Sequence, residues 1–458
     1  RYMEIFNTIN PSTGNSLPSY NAHAPSEINR RIDAAHGAFL EWSLLGYSER
    51  AAYLVRVSEL RFERKNELAY LCAIEMGKPV NQGIAEVEKC AGVCRYYAEN
   101  AETMLADESI KTTLSKSYVT YQPLGVILAI MPWNFPFWQV LRFAAPALMA
   151  GNTVILKHAP NTFGCALAIE QIFDDAGLPA CSFVNIMAEV RHIPAVIKND
   201  KIQGVTFTGS TVAGKKIAGM SGAALKKTVM ELGGSDPYII LEDADLEESV
   251  RTCVTSRCIN TGQSCISAKR FIVIHSVLDK VQKLFTEMLS EKSFGNPLEG
   301  EYDLGPLARF DLRDKLHSQV QASIQTGAKL VIGGKIPEGT GAFYPPTLLT
   351  NIDKGMVAYN EELFGPVASI IAAKDEKDAI RIANDSEFGL GAAIFTKDIE
   401  RGERIARTMI QTGTCYVNDF VKSDARLPFG GIKHSGFGRE LSAVGIREFV
   451  NIKTVGVK

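Results

Sequence analysis

The sequence predicts an α/β fold: a doubly wound parallel sheet followed by a second α/β domain. Two observations carry this. From about Tyr118 onward, short β-rich runs alternate with helical stretches: Val126 to Ile130, Thr153 to Leu156, Phe183 to Met187, Gly204 to Phe207 and Thr228 to Glu231. Each run is nearly all apolar, as expected of parallel strands covered on both faces. A second alternating series extends from Pro237 to Asn418. In a sheet of the first kind, ligands are expected at the C-terminal ends of the strands.

Ahead of the first strand the pattern is helical. Asn10-Pro-Ser-Thr-Gly14 is a turn cluster. Pro25-Ser26-Glu27 then starts a helix whose Ile28, Ile32, Ala35 and Phe39 form one apolar stripe. A second helix runs from about Ser48 through Leu54, Val57 and Leu60, and a third ends at Met76-Gly77-Lys78-Pro79, where Gly and then Pro stop it. No repeats or low-complexity linkers mark domain borders.

Bulk properties narrow the function. A chain of 458 residues holds two or three domains. Its 46% hydrophobic and 22% charged content is that of an ordinary soluble protein. A net charge of −2 gives no electrostatic case for nucleic acid or an anionic membrane as partner. Arg1 to Tyr20 lacks the apolar core of a secretory leader, and no run approaches the ~20 apolar residues of a membrane span. Nine cysteines at irregular spacing fit a reducing cytoplasm, not a disulfide framework. Cys90 and Cys94 share a helix face and are expected in the core, and the seven histidines show no metal-ligand spacing, so no metal is expected.

Candidate chemistry lies in four stretches. Asn260-Thr-Gly-Gln-Ser-Cys265 sets a cysteine in a Gly-Gln turn behind a helix spanning Leu246 to Ile259, where a thiol can be presented to a cleft. Pro132-Trp-Asn134-Phe-Pro136 follows a buried strand and places an amide donor at its C-terminal end. Gly209-Ser-Thr-Val-Ala-Gly214-Lys-Lys216 follows a strand and opens a helix. It is neither a P-loop, because Lys216 replaces the Mg²⁺-binding Ser/Thr, nor G-x-G-x-x-G. Its helix N-terminus still suits a pyrophosphate, though a plain turn fits equally well. Glu231 ends a strand before Leu232-Gly-Gly234.

Taken together, Phe207-Thr-Gly-Ser210, Glu231-Leu-Gly-Gly234, the Cys265 turn and Glu362-Leu-Phe-Gly-Pro366 resemble the aldehyde dehydrogenase superfamily, in its order and spacing over nearly the whole chain. The resemblance implies a Rossmann-like cofactor domain (residues 1–105 and 124–233), a catalytic domain (234–440) and a small β oligomerisation flap (106–123 and 441–458) that makes a homodimer or homotetramer. It implies that Cys265 is the nucleophile, Asn134 the oxyanion donor and Glu231 the base for thioester hydrolysis. Trp133, Lys157, Gly209, Ser210, Glu362 and Phe364 would bind NAD or NADP. Pro160 stands where NAD-preferring members often carry an acid, and His158 where many have Pro.

Arg142 matches the arginine with which succinate-semialdehyde dehydrogenases hold the distal carboxylate, and on a helix it would share a face with Trp138. A second arginine of some such enzymes is Ile259 here, so Arg257 or Arg426 would have to substitute. The expected activity is oxidation of succinate semialdehyde or a close relative. The alternatives are a broad aliphatic aldehyde dehydrogenase, a non-catalytic nucleotide-binding relative, and a cysteine hydrolase, for which no histidine is suitably set.

Overall fold

The computed structural model describes residues 4–458. Its first sheet has six strands, in spatial order Gly436–Phe437, Lys227–Glu231, Ile202–Thr208, Val126–Met131, Thr153–His158 and Phe183–Asn185. All neighbours are parallel except the first pair. The chain enters at Val126–Met131, winds outward to Phe183–Asn185, then returns to the other side with Ile202–Thr208. The switch point therefore falls between Val126–Met131 and Ile202–Thr208, where a crevice opens beyond the strand ends. Asn134 and Gly209 follow those two strands directly.

Both faces of this sheet are covered, which is why its strands read as unbroken apolar runs. Ile28 and Ile32 of helix Pro25–Trp42 pack with Val126, Leu128, Val205 and Ile217 on one face. On the other face lie helices Tyr47–Glu63, Val80–Met104 and Trp138–Met149, meeting through Leu54, Val57, Val87, Cys90, Cys94 and Leu141. Helix Lys65–Met76 stops at Gly77, whose φ of 80° is the left-handed conformation that glycine adopts without Cβ strain. Pro79 then caps the 25-residue helix Val80–Met104.

The second sheet has seven strands, ordered Lys329–Ile332, Thr347–Thr350, Val367–Ala373, Ala268–Ile274, Asp236–Ile240, Gly391–Phe395 and Thr414–Val417; only the outermost pair at Lys329–Ile332 is antiparallel. This sheet meets the first with the opposite edge. Cys265 lies just before Ala268–Ile274, at the N-terminal end of its strand. Gly436–Phe437, which falls inside the expected second domain (234–440), pairs with the first sheet. Val450–Val457, Lys116–Pro123 and Glu108–Ser109 form a separate three-stranded antiparallel sheet, within the two segments (106–123 and 441–458) that the resemblance assigns to a flap.

Gly436 shows how tightly the last strand is seated. It pairs with Glu231 at φ 111°, and a Cβ there would lie 1.9 Å from the Met230 carbonyl oxygen. Backbone cannot yield as a side chain can. Gly436→Ala is expected to lower stability by about 1–3 kcal/mol, read as a lower urea midpoint at unchanged m-value. An unshifted midpoint would show that the strand pairs more loosely than this.

Candidate active site

The loop before Cys265 is held in a high-energy backbone shape. Asn260 and Thr261 both adopt left-handed φ, 55° and 58°, followed by Gly262 at 74°. A branched residue such as Thr261 reaches that region only when its surroundings enforce it. They do so here by hydrogen bonds. The Asn260 side-chain amide donates to the Asn134 carbonyl (2.8 Å) and the Gln263 carbonyl (3.0 Å). Thr261 Oγ1 accepts from Gly305 N–H, and Gln263 Oε1 from Ala308 N–H, both at 3.0 Å. Gly262 must be glycine, since a Cβ would lie 2.3 Å from Gly365 O. Beyond this turn, Cys265 comes to rest half-buried, facing a cavity of about 380 Å³.

Asn134 is buried, and its Nδ2 donates to Gln263 O at 3.2 Å. An amide nitrogen carries two hydrogens, so one donor remains. Asn134 and the cysteine loop are thus bonded to each other in both directions, through Asn260 and Gln263. The thiol is not ionised in this state: burial pushes it up to about 12, Glu362 and Glu231 add to that, and Arg142 and Lys269 oppose it. Any reaction of this thiol as a thiolate therefore requires a base to take its proton.

Glu231 is buried, and neither carboxylate oxygen has a hydrogen-bond partner. Burial, then the Glu440 carboxylate, hold its pKa well above the usual range. Glu440 is also raised by burial, but Arg142 binds it with Nε at 2.8 Å and Nη2 at 3.3 Å. Of the two acids, Glu440 carries the charge and Glu231 the proton.

That ion pair changes the expectation for Arg142. Its guanidinium lines the cavity, but two of its nitrogens are committed to Glu440 and its plane lies 4.6 Å from the Phe429 ring centroid. It is not a free fork awaiting a substrate. Arg426 does not reach the cavity at all: it is exposed and bound to Asp424 two residues away (2.7 Å). Arg257 is wholly buried and donates to the carbonyls of Gly262 and Leu363. Trp138 does line the cavity, with Phe135, Ile259, Val421 and Phe429. The sequence reading missed Lys89, also on this wall, which no local motif flags.

The cofactor candidates gather along the C-terminal edge of the first sheet. Ser210 caps helix Thr211–Ala223, its Oγ accepting from Ala213 N–H (3.3 Å). Gly214 lets that helix close on Leu232, into whose side chain a Cβ would run at 2.2 Å. Glu362 Oε2 accepts from Gly234 N–H (2.8 Å) and lies 3.4 Å from Lys269 Nζ, while Trp133 and Phe364 meet edge-to-face at 5.8 Å. Lys157 lies in the wall of a second cavity, of about 610 Å³, with Pro160, Glu189 and Arg191. His158 is a structural residue, since its Nε2–H donates to Pro136 O and its Nδ1 accepts from Ala159 N–H, each at 2.9 Å. Burial holds it neutral, down to about 4.

Comparison with known proteins places this geometry. Residues 2–455 match the model of the aldehyde dehydrogenase family. A probable succinate-semialdehyde dehydrogenase (NADP+) of Synechocystis is 46% identical over 98% of this chain and 99% of its own. The succinate semialdehyde dehydrogenase (NAD(P)+) Sad of Escherichia coli K12 is also 46% identical, over 98% and 97%. Among solved structures, succinic semialdehyde dehydrogenase from Streptococcus pyogenes, in complex with NADP+, superposes with a TM-score of 0.96 at 35% identity over 99% of each chain. With a cysteine loop and a buried carboxylate between two wound sheets, and the family model and relatives matching over nearly the entire chain, this chain belongs to the aldehyde dehydrogenase family.

Proposed function

We propose that this protein oxidises succinate semialdehyde to the acid with NADP or NAD. The observation that supports it most is the cavity at Cys265: apolar walls of Phe135, Trp138, Ile259, Val421 and Phe429, with cationic side chains among them. The similarity to relatives named for that substrate and those cofactors points the same way. A small aldehyde with one distal negative charge suits such a site.

The residues at the first sheet's edge fit a dinucleotide. A capped helix N-terminus beside Gly209 suits a pyrophosphate. Gly233 leaves a gap beside Glu362 Oε1 that a Cβ would narrow to 3.1 Å, and Lys157 offers a buried cation at the far cavity. Pro160 presents no carboxylate there to repel a 2′-phosphate, and Arg191 adds a second cation, although Glu189 partners it. Trp133, Lys157, Gly209, Ser210, Glu362 and Phe364 would hold the cofactor, with Glu362 exchanging its Gly234 contact for the ribose. When bound, the nicotinamide supplies the hydride acceptor.

In this reading Cys265 Sγ adds to the carbonyl carbon, and its proton leaves to a base. The oxyanion is met by the spare Asn134 N–H and the Cys265 backbone N–H; losing one such donor typically costs on the order of a hundredfold in rate. After oxidation the acyl group is a thioester on Cys265. Glu231 then takes a proton from water, which attacks the thioester and frees the acid and the thiol. Glu231 must be ionised to do so, and its raised pKa makes that a pH-dependent event.

We also infer an oligomer, a dimer or tetramer. The small sheet ends in strand Val450–Val457, whose outer edge is unpaired among the described residues and which exposes Ile452 and Val457. Such an edge invites pairing with another chain. Nine free cysteines fit a reducing compartment, and we infer the cytoplasm.

Three measurements test these readings. Steady-state assays of Cys265→Ala should give under about 1% of wild-type kcat, as expected when a covalent nucleophile is removed, with NADP binding retained; turnover of several per cent would remove Cys265 as nucleophile. Glu231→Gln should show a pre-steady-state burst of NADPH followed by slow turnover. Because the base works only after losing a proton held above the usual carboxylate range, wild-type kcat should climb with pH as that proton is lost, and the variant should lose that slope. Equal loss of burst rate and turnover would move Glu231 out of the hydrolytic step. In light scattering, a mass of 50.0 kDa at micromolar concentration, that of one chain, would refute the oligomer.

A further inference from the structure

Four cationic side chains line the cavity at Cys265: Lys78, Lys89, Arg142 and Lys422. Three already have a carboxylate. Lys78 Nζ lies 2.9 Å from Glu86 Oε2, Arg142 is held by Glu440, and Lys422 Nζ lies 2.8 Å from Asp419. Lys89 forms no ion pair among the described residues. It extends from helix Val80–Met104, donates to Ser423 Oγ (2.5 Å) and places Nζ 4.3 Å from the Trp138 ring centroid. It reaches solvent at the cavity mouth, so a ligand can reach it.

We propose that Lys89 is the specificity-determining residue, its ammonium receiving the distal carboxylate of an ω-carboxylated aldehyde whose carbonyl carbon lies at Cys265. This rests on the dehydrogenase reading above and names the group that selects within it. An ammonium over the Trp138 ring has one face turned from water, and no carboxylate pairs with it directly among the described residues. A carboxylate ligand would supply both a charge-assisted hydrogen bond and a countercharge. The Trp138 face and Ser423 hydroxyl hold the amine in one place meanwhile, which reduces the entropy lost on binding. The role the family pattern gives to an arginine at position 259 thus passes to a lysine from a different helix.

Lys89 also differs from Arg142 in that it can titrate. The charged groups around it are Glu86 and Cys90 on its own helix, Arg142 on helix Trp138–Met149 and Asp424 on the loop after Asp419. Close packing around the ammonium, then Arg142, lower its pKa to about 8, although the side chain as a whole stays exposed. It is charged at pH 7 and loses its proton as pH rises through that value, whereas a guanidinium does not.

The test compares kcat/KM for succinate semialdehyde and butanal, with saturating NADP, in wild type, Lys89→Met and Lys89→Arg. The ratio of the two aldehydes cancels pH effects on Cys265 and Glu231. In Lys89→Met the preference for the semialdehyde should fall roughly tenfold or more, chiefly through KM, because one charge-assisted pair is lost. Lys89→Arg should recover most of it. In the wild type the ratio should fall between pH 7 and 9, and in Lys89→Arg it should stay flat. A ratio that moves less than about threefold in Lys89→Met, below one such pair, or that is flat with pH in the wild type, overturns the proposal and leaves the anchor to Arg142. Should Lys89→Met not fold, Lys89→Gln takes its place in the same comparison. A wild type that prefers butanal overturns both Lys89's role and the semialdehyde reading, while aldehyde oxidation by Cys265 would stand.

Discussion

Two buried carboxylates lie near each other and only one of them is hydrogen-bonded by a guanidinium, and the chemistry of the cleft follows from that asymmetry. Arg142 reaches Glu440 through two hydrogen bonds and exerts its field on Glu231 and Cys265 as well. Burying either acid ionised is costly, and one cation can stabilise only one of them fully. Geometry decides which: Glu440 has the fork, whereas Glu231 has no donor among the described residues. Glu231 is therefore kept protonated at rest, close to a thiol that is protonated too. Neither reactive group is charged until a ligand or water alters the site. The same pair also binds the C-terminal stretch of the chain to helix Trp138–Met149, so the electrostatics of the site and the seating of its wall are one interaction.

Much of this was legible in the chain because it is local. Five apolar runs gave the core of the first sheet to within a residue or two at most ends, since strands covered on both faces leave no polar positions. Gly77 ended its helix where the Gly-Lys-Pro sequence said it should. The Cys265 turn could be singled out because Gly262 and Gln263 surround it, although the left-handed Asn260 and Thr261 have no sequence signature; their conformation is imposed by Asn134, Gly305 and Ala308, from remote parts of the chain.

What stayed illegible depends on long-range partners. Arg142 reads as a free guanidinium because Glu440 lies almost three hundred residues away. Arg426 reads as a candidate anchor, yet Asp424, two residues before it, turns it outward. Helix Val80–Met104 carries no chemical motif, and still it supplies Glu86, whose Oε1 accepts from the amides of Phe137 and Trp138 and fixes the start of the helix bearing Arg142. His158, a departure from the family pattern, fastens the Lys157 strand to Pro136, a role visible only in the fold.

The two sheets contribute opposite edges, and this explains how Cys265 and Glu231, from separate α/β units, stay in register. Glu231 ends a strand of the first sheet, and Asp236 begins one of the second; only Leu232, Gly233, Gly234 and Ser235 intervene. The connection crosses the cleft floor. A Cβ on Gly234 would lie 2.8 Å from Cys265 O, and one on Gly233 3.1 Å from Glu362 Oε1. Ser435 Oγ donates to Gly233 O (2.6 Å), and Leu232 N–H donates to Ser435 O (3.0 Å), so the linker is itself clamped. With so short and bonded a tether, the units cannot separate or slide without breaking backbone contacts. The placement of Glu231 relative to the Cys265 loop is thus set by covalent length and by two glycines, one passing close to the Cys265 carbonyl and one to the Glu362 carboxylate. Catalysis by positioned groups requires this kind of preorganisation, and here it is built into the join between the sheets.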